Sequence, residues 1–295
     1  MTGLVKRTLA VCVLALAASC GDSPTQPAPN NPPPPPPPPP PANTAPVIES
    51  ISVQGARRNE PPNFADVAET VDVTAVVRDQ ETAADQLQYF WTASAGTVNG
   101  TGARVTWRAP ASIQAPTAVT ITLEVVDRYG TNLEHRVTRT APVALHDSAK
   151  EVGDMARQFL LDFSDTNIKD ASRIMRNFTV PAMCPEPDQV TDERDQVTNH
   201  YQNFRMLESR IGPANVSIDF KGSCPVPNGR RLGDACAFVP SYWRSINLTN
   251  NKEEEVDGID IVAAIYRPAD TRWWLCASNY DGRALRSTSS RFYLR

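Results

Sequence analysis

Val119-Thr120-Ile121-Thr122-Leu123-Glu124-Val125 alternates apolar and polar residues along its length. Side chains on a strand point to opposite faces in turn, so this stretch has one face to bury and one to leave wet. A lone strand has nothing to bury against, and the chain on either side supplies neighbours of the same kind. Val71, Val73, Ala75 and Val77 alternate with Asp72, Thr74 and Val76; Leu87, Tyr89 and Trp91 with Gln88 and Phe90; Ala103, Val105 and Trp107 with Arg104 and Thr106. Val47–Val53 opens the set and Leu133–Thr140 closes it. Gly, Asp, Asn and Pro punctuate the intervals, as strand connections require. The pattern predicts an all-β sandwich over residues 43–144. No cysteine falls in that span, so apolar packing alone must hold the sheets together.

Asn43-Thr-Ala-Pro-Val-Ile48, Tyr89-Phe-Trp91, Gly96-Thr-Val-Asn-Gly-Thr-Gly102, Val105-Thr-Trp-Arg-Ala-Pro110 and Val125-Val-Asp-Arg-Tyr-Gly130 resemble the immunoglobulin-like, PKD-like repeats of bacterial cell-surface proteins. The resemblance implies that Trp91 is the buried tryptophan of the third strand. Asp79, Glu81 and Asp85 lie between the second and third strands, and Asp127 between the sixth and seventh. In an immunoglobulin topology those loops share one end of the sandwich. Carboxylates gathered there suit Ca²⁺, which takes six to eight oxygens; the alternative is acidic turn residues facing solvent.

Residues 146–295 change character. Ser148-Ala-Lys-Glu151 reads as a capping box. Val152, Met155, Phe159, Leu160 and Phe163 follow at helical spacing. Ile168, Ala171, Ile174, Met175 and Phe178 predict a second helix. Val197, Tyr201 and Phe204 predict a third, ending before Gly212-Pro213. Strands follow at Val216–Phe220, Ala235–Val239 and Tyr242–Ile246, then at Ile259, Ile261, Ala263 and Ile265, and at Arg272–Tyr280. Three helices and then antiparallel strands, with a late Thr271-Arg-Trp-Trp-Leu275, resemble the nuclear-transport-factor-2-like (SnoaL-like) α+β roll. The resemblance implies a curved antiparallel sheet wrapped around the helices and a pocket inside. Some members of that superfamily are isomerases, cyclases or dehydratases, and many are binding modules. The chain as a whole therefore reads as multidomain: an immunoglobulin-like sandwich followed by an α+β roll.

Catalytic members of the roll family carry an Asp or His within the cone. Here Tyr201 shares the apolar helix face with Val197 and Phe204 and reads as core; His200, about 100° away, reads as exposed. Asp260 alternates outward from Ile259 and Ile261. No nucleophile motif or phosphate loop is present, so no catalytic residue is assigned. Tyr266 and Tyr280 are candidate pocket liners. Trp273 and Trp274 are neighbours on a strand and face opposite ways: one is core, the other exposed or covered by a partner, where tryptophan is a frequent binding hot spot.

Four cysteines occupy this half: Cys184, Cys224, Cys236 and Cys276. In an exported chain an even number implies two disulfides in one of three connectivities. Asn228-Gly229 signals a turn between Cys224 and Cys236, favouring a bridge across it and leaving Cys184 for Cys276. No CxxC pair supports zinc.

Upstream, Lys6-Arg7 precedes a short apolar run, Thr8–Ala18, then Ser19-Cys20-Gly21. A bilayer span needs about 20 apolar residues, so the run suits a signal peptide over residues 1–19. Small residues directly before Cys20 resemble the lipobox of bacterial lipoproteins, which implies lipidation at Cys20; simple secretion is the alternative. Gly21 in place of Asp leans toward the outer membrane. Residues 20–42 then form an anchor and linker whose prolines, Pro32–Pro41, favour a polyproline II rod of roughly 30 Å. Loss of residues 1–19 removes Lys6 and Arg7 and moves the net charge from −4 to −6, which disfavours nucleic acid as a partner. These features predict a lipid-anchored protein of the bacterial cell envelope with no obligate cofactor. Its function is binding or scaffolding of a protein or glycan ligand, with a small-molecule enzyme and a structural spacer as alternatives.

Overall fold

The computed structural model describes residue 36 and residues 42–129, 133–185, 187–222, 224–225 and 231–281. Cys20, the signal segment and the Asn228-Gly229 turn lie outside the described residues. Contacts divide the chain after Ala42, and everything from Asn43 on belongs to one compact unit. That unit is β-rich, with few helices.

Its first half holds eight strands: β1 (Val47–Gln54), β2 (Phe64–Asp66), β3 (Thr70–Arg78), β4 (Gln88–Ala93), β5 (Thr97–Asn99), β6 (Arg104–Arg108), β7 (Thr117–Tyr129) and β8 (Leu133–His146). They form two four-stranded sheets, β1-β3-β6-β5 and β2-β8-β7-β4. The alternation seen in sequence sets which side chains meet. Val73, Val105 and Trp107 from one sheet pack with Val119, Ile121 and Val143 from the other in a shared core, so burial of these faces holds the sheets together. Trp107 is the fully buried tryptophan, its indole N–H donating to the Ala95 carbonyl. Trp91 is only partly buried: it packs against the core and its indole N–H donates to the Gly102 carbonyl. The expectation for Trp91 is thus corrected in favour of a tryptophan one hairpin later.

The second half has α1 (Ser148–Ser164), α2 (Ala171–Ile174), a 3-10 turn at Pro181–Met183 and α3 (Pro187–Asn203). After them come β9 (Phe204–Ile211), β10 (Asn215–Ile218), β11 (Cys224–Pro225), β12 (Arg231–Leu232), β13 (Ala235–Asn247), β14 (Lys252–Arg267) and β15 (Arg272–Asp281). Asp147, not Ser148, caps α1: its carboxylate accepts from the Lys150 N–H, and Glu151 reaches back to the Asp147 N–H. Val152, Ala156, Phe159 and Leu160 then face a curled five-stranded sheet, β10-β13-β14-β15 with β9 also on β13. The helix expected to run on toward Gly212 ends at Asn203. From Phe204 the burial period falls to two, with Phe204 and Met206 turned inward and Arg205 and Leu207 outward, and the segment pairs with β13 as a strand.

β15 is a sheet edge, and the chain covers it locally. The Leu275 N–H donates to the Asn177 carbonyl, and the Leu275 carbonyl accepts from Thr179. Edge groups left open would template further pairing.

The boundary read from sequence near residue 145 is a seam within the compact unit. β8 runs directly into α1. Phe64 on β2 stacks on His146 at 5.2 Å and meets Tyr266 edge-on at 4.7 Å. The Arg57 guanidinium lies 4.9 Å over the Phe220 ring and pairs with Glu60, Asp66 and Glu69 at 2.6, 2.7 and 2.8 Å.

Candidate functional site

Between α1, α3 and the concave face of the sheet lies a cavity of about 530 Å³. Its apolar wall comes from α1 (Phe159, Leu160, Phe163), from Phe204 and Met206 at the start of β9, and from Trp243 on β13. Its titratable groups come from three separate elements: Glu193 and His200 on α3, Glu254 and Asp260 on β14, and Tyr280 on β15.

Glu193 is buried, and both its oxygens are engaged by one residue of the edge strand. The Ser278 N–H donates to Oε2 at 2.9 Å and the Ser278 hydroxyl to Oε1 at 2.6 Å. Burial nevertheless pushes its pKa up to about 7, against those bonds and with the Asp260 charge adding to the rise. Asp260 is likewise buried and accepts from the Ser241 hydroxyl at 2.5 Å. Burial raises it to about 6, opposed by Ser241 and Trp243. His200 is sandwiched between Phe163 at 4.0 Å and Phe204 at 5.4 Å, both nearly parallel to it. Its Nε2 is buried with no hydrogen-bond partner, and burial lowers its pKa to about 4, so the ring is neutral at physiological pH. Tyr280 crosses over Gly258, where an added Cβ would collide with the tyrosine ring and hydroxyl.

Two sequence expectations are corrected here. His200 lines the cavity instead of facing solvent. Asp260 points inward, because both faces of β14 are covered. Ile261 and Ala263 pack under the Cys224–Leu232 hairpin on the far side, which leaves Gly258, Asp260 and Val262 for the near side. The apolar alternation at Ile259–Ala263 is real, but it marks the outer cluster. Beyond it, Ala264, Ile265 and Tyr266 all belong to the main core.

Of the aromatic residues singled out from sequence, Tyr280 lines this cavity. Trp273 is core: it is fully buried, and its indole donates to the Ser148 hydroxyl at 3.0 Å. Trp274 faces the other way and is overlaid by Arg272 at 4.2 Å and Arg267 at 5.7 Å. Tyr266 belongs to the seam, with its hydroxyl 3.3 Å from His146 Nε2.

Cys184 is bonded to Cys276, 92 positions away in sequence, and Cys224 to Cys236, 12 positions away. The first ties the segment after α2 to β15. The second clamps the hairpin over the outer face of β14.

In the first half, a chain of hydrogen bonds joins the acidic loops. Thr44 donates to Glu81 at 2.6 Å. The Glu81 and Thr82 N–H groups donate to Asp79 Oδ1 at 2.9 and 2.7 Å, and the Thr82 hydroxyl donates to Asp127 Oδ1 at 2.7 Å. The second oxygens of Asp79 and Asp127 are buried without a hydrogen-bond partner; Asp85 is exposed. Among the described residues, no group of three or more His, Cys, Asp or Glu is arranged to hold a metal ion. Among them, too, no helix is long and apolar enough to cross a membrane. Compared with known proteins, the chain matches no family model and no curated relative.

Proposed function

We propose that this protein is an envelope lipoprotein whose C-terminal half binds a small, partly apolar molecule in the cavity between α1, α3 and the sheet. The observation that carries this reading is the combination of a wall of aromatic and aliphatic side chains with two buried carboxyl groups at one place in it. Ligand sites are typically apolar pockets with a few convergent polar groups and displaced pKa values. The facing four-stranded sheets support an immunoglobulin-like sandwich for residues 43–144. The curled sheet over α1 supports an α+β roll for residues 146–295. The lipid anchor at Cys20 and an outer-membrane location rest on the sequence pattern, with the proline rod as spacer.

A second reading is favoured by one observation: Glu193 and Asp260 titrate near neutrality within the same cavity. Groups so tuned suit proton transfer to and from a bound substrate.

Binding is tested with the neutral fluorophore N-phenyl-1-naphthylamine and the chain from Asn43. Fluorescence enhancement is expected with wild type and its loss with Val256→Trp, which fills the mouth; equal enhancement in both would refute the site. Anchoring is tested by Cys20→Ala, which should release the protein from membranes. A wild-type protein already in the aqueous phase of a detergent separation would overturn it.

A further inference from the structure

The charges around the cavity are of one sign. Glu193, Asp260 and Glu254 line it from α3 and β14, and among the described residues no Lys or Arg does so. Glu193 and Asp260 are both buried and line the same cavity, and the Asp260 charge adds to the rise in the Glu193 pKa. Their hydrogen-bond donors, Ser278 and Ser241, are neutral. Two other buried acids are neutralised by arginine: Arg57 serves Glu60 at the seam, and Arg176 pairs with Asp162; buried Asp127 is held by the Thr82 hydroxyl instead. Among the described residues, no counter-charge lines the cavity. The remaining wall is aromatic, with Trp243 edge-on to Phe163 at 5.5 Å and Phe163 stacked on His200.

We propose that the cavity takes a small organic cation, an amine on an apolar body, with Glu193 and Asp260 as its counter-charges and the Trp243 and Phe163 rings as its walls. The inference rests on the reading of this cavity as a ligand site and adds the chemical class. An ammonium group in a desolvated site gains from each carboxylate far more than it would in water. Aromatic faces add cation–π attraction. A carboxylate or phosphate ligand would meet three like charges and is excluded by the same field. The neutral His200, with Nε2 free of protein partners, leaves one further hydrogen-bonding position for a polar group on the ligand body.

The facing groups also set the pH dependence. Glu193 and His200 on α3, Asp260 and Glu254 on β14 and Tyr280 on β15 are the titratable groups lining the cavity; α1 contributes Phe159, Leu160 and Phe163. Over the range in which Asp260 and then Glu193 ionise, His200 is already neutral. Cation affinity should therefore rise between about pH 5 and about pH 8.

The test is calorimetric titration of the full chain in a mild non-ionic detergent at pH 8 with three probes of matched size: phenethylamine, 2-phenylethanol and phenylacetate. Phenethylamine is expected to bind about tenfold or more tightly than the alcohol, and phenylacetate most weakly. Asp260→Asn should cut the amine affinity about tenfold and leave the alcohol unchanged. Glu193→Gln, whose Oε1 can still accept from Ser278, gives a second variant should Asp260→Asn unfold. Equal or tighter binding of the alcohol would overturn the cation assignment while leaving the cavity as a ligand site. Tighter binding of phenylacetate, or an equal effect of the variants on amine and alcohol, would overturn it too. Failure of all three probes to bind would instead remove the ligand site itself.

Discussion

Glu193→Gln should change how stability depends on pH, and the sign can be worked out. The carboxyl group moves from an ordinary 4.5 to about 7 on burial. Between those values the unfolded chain has lost this proton and the folded protein keeps it. The folded state then binds more protons, so raising the pH favours unfolding. The stability linked to this group is fully present below about pH 4.5 and gone above about pH 7. The displacement corresponds to about 3 kcal/mol. Glutamine keeps an acceptor for Ser278 and never ionises. Near pH 4 the variant should match wild type; near pH 8 it should be the more stable by up to about 3 kcal/mol.

His200 works in the opposite direction. Its pKa falls from 6.5 to about 4 on burial. Between those values the unfolded chain takes up a proton that the folded protein refuses, so stability rises with pH across that window, also by about 3 kcal/mol. The two slopes overlap between about pH 4.5 and pH 6.5 and offset each other there. Asp260, raised from 3.8 to about 6, adds a further decline over much of the same range, so wild type alone would not separate these contributions. His200→Phe, which fits between Phe163 and Phe204, should expose the Glu193 decline; Glu193→Gln should expose the His200 rise. Urea unfolding of the disulfide-intact chain, followed by tryptophan fluorescence at pH 4, 6 and 8, reads both. A Glu193→Gln variant less stable than wild type at pH 8 would show that the glutamate is ionised and well solvated there. That result would refute the account of its burial.

Arg57→Ala strands the buried Glu60 with Asp66 and Glu69 and removes the cation from the Phe220 face; a loss of about 3 to 5 kcal/mol is expected in the same assay. Arg57→Lys should recover only part of it, since one ammonium cannot serve three carboxylates in this fork geometry. Replacing Cys184 and Cys276 with alanine should cost about 4 to 5 kcal/mol, against about 3 for Cys224 and Cys236, because the chain-entropy term grows with the logarithm of loop length. A larger loss for the short loop would point to local packing over the outer face of β14 as its main contribution. Millimolar calcium should raise the melting temperature through the unpartnered oxygens of Asp79 and Asp127, and Asp127→Asn should abolish the shift. No shift in wild type would leave these residues as hydrogen-bonded turn acids.

The strands of the first half were legible because each exposes one face and buries the other, so period two survives in the sequence. β2 was not: Phe64–Asp66 is three residues long and carries no period. Its importance lies in Phe64, which reaches into the core of the second half. At Phe204 two readings overlap. Val197, Tyr201 and Phe204 continue a helical spacing, while Phe204 and Met206 begin an alternating one. Pairing with β13 decided between them, and that partner lies some forty residues on in sequence.

The candidate site was illegible for a related reason. Glu193, Asp260 and Tyr280 come from α3, β14 and β15, and no local spacing joins them. What the sequence does carry is an inconsistency. An asparagine at 260 could accept the Ser241 hydrogen bond, and a glutamine at 193 one of the two from Ser278, without any cost of burying charge. The chain places carboxyl groups there instead, inside an aromatic cavity that no arginine lines among the described residues. Residues that work against folding in this way tend to mark sites under another constraint. The charge at these two positions therefore points to something that enters the cavity and interacts with it.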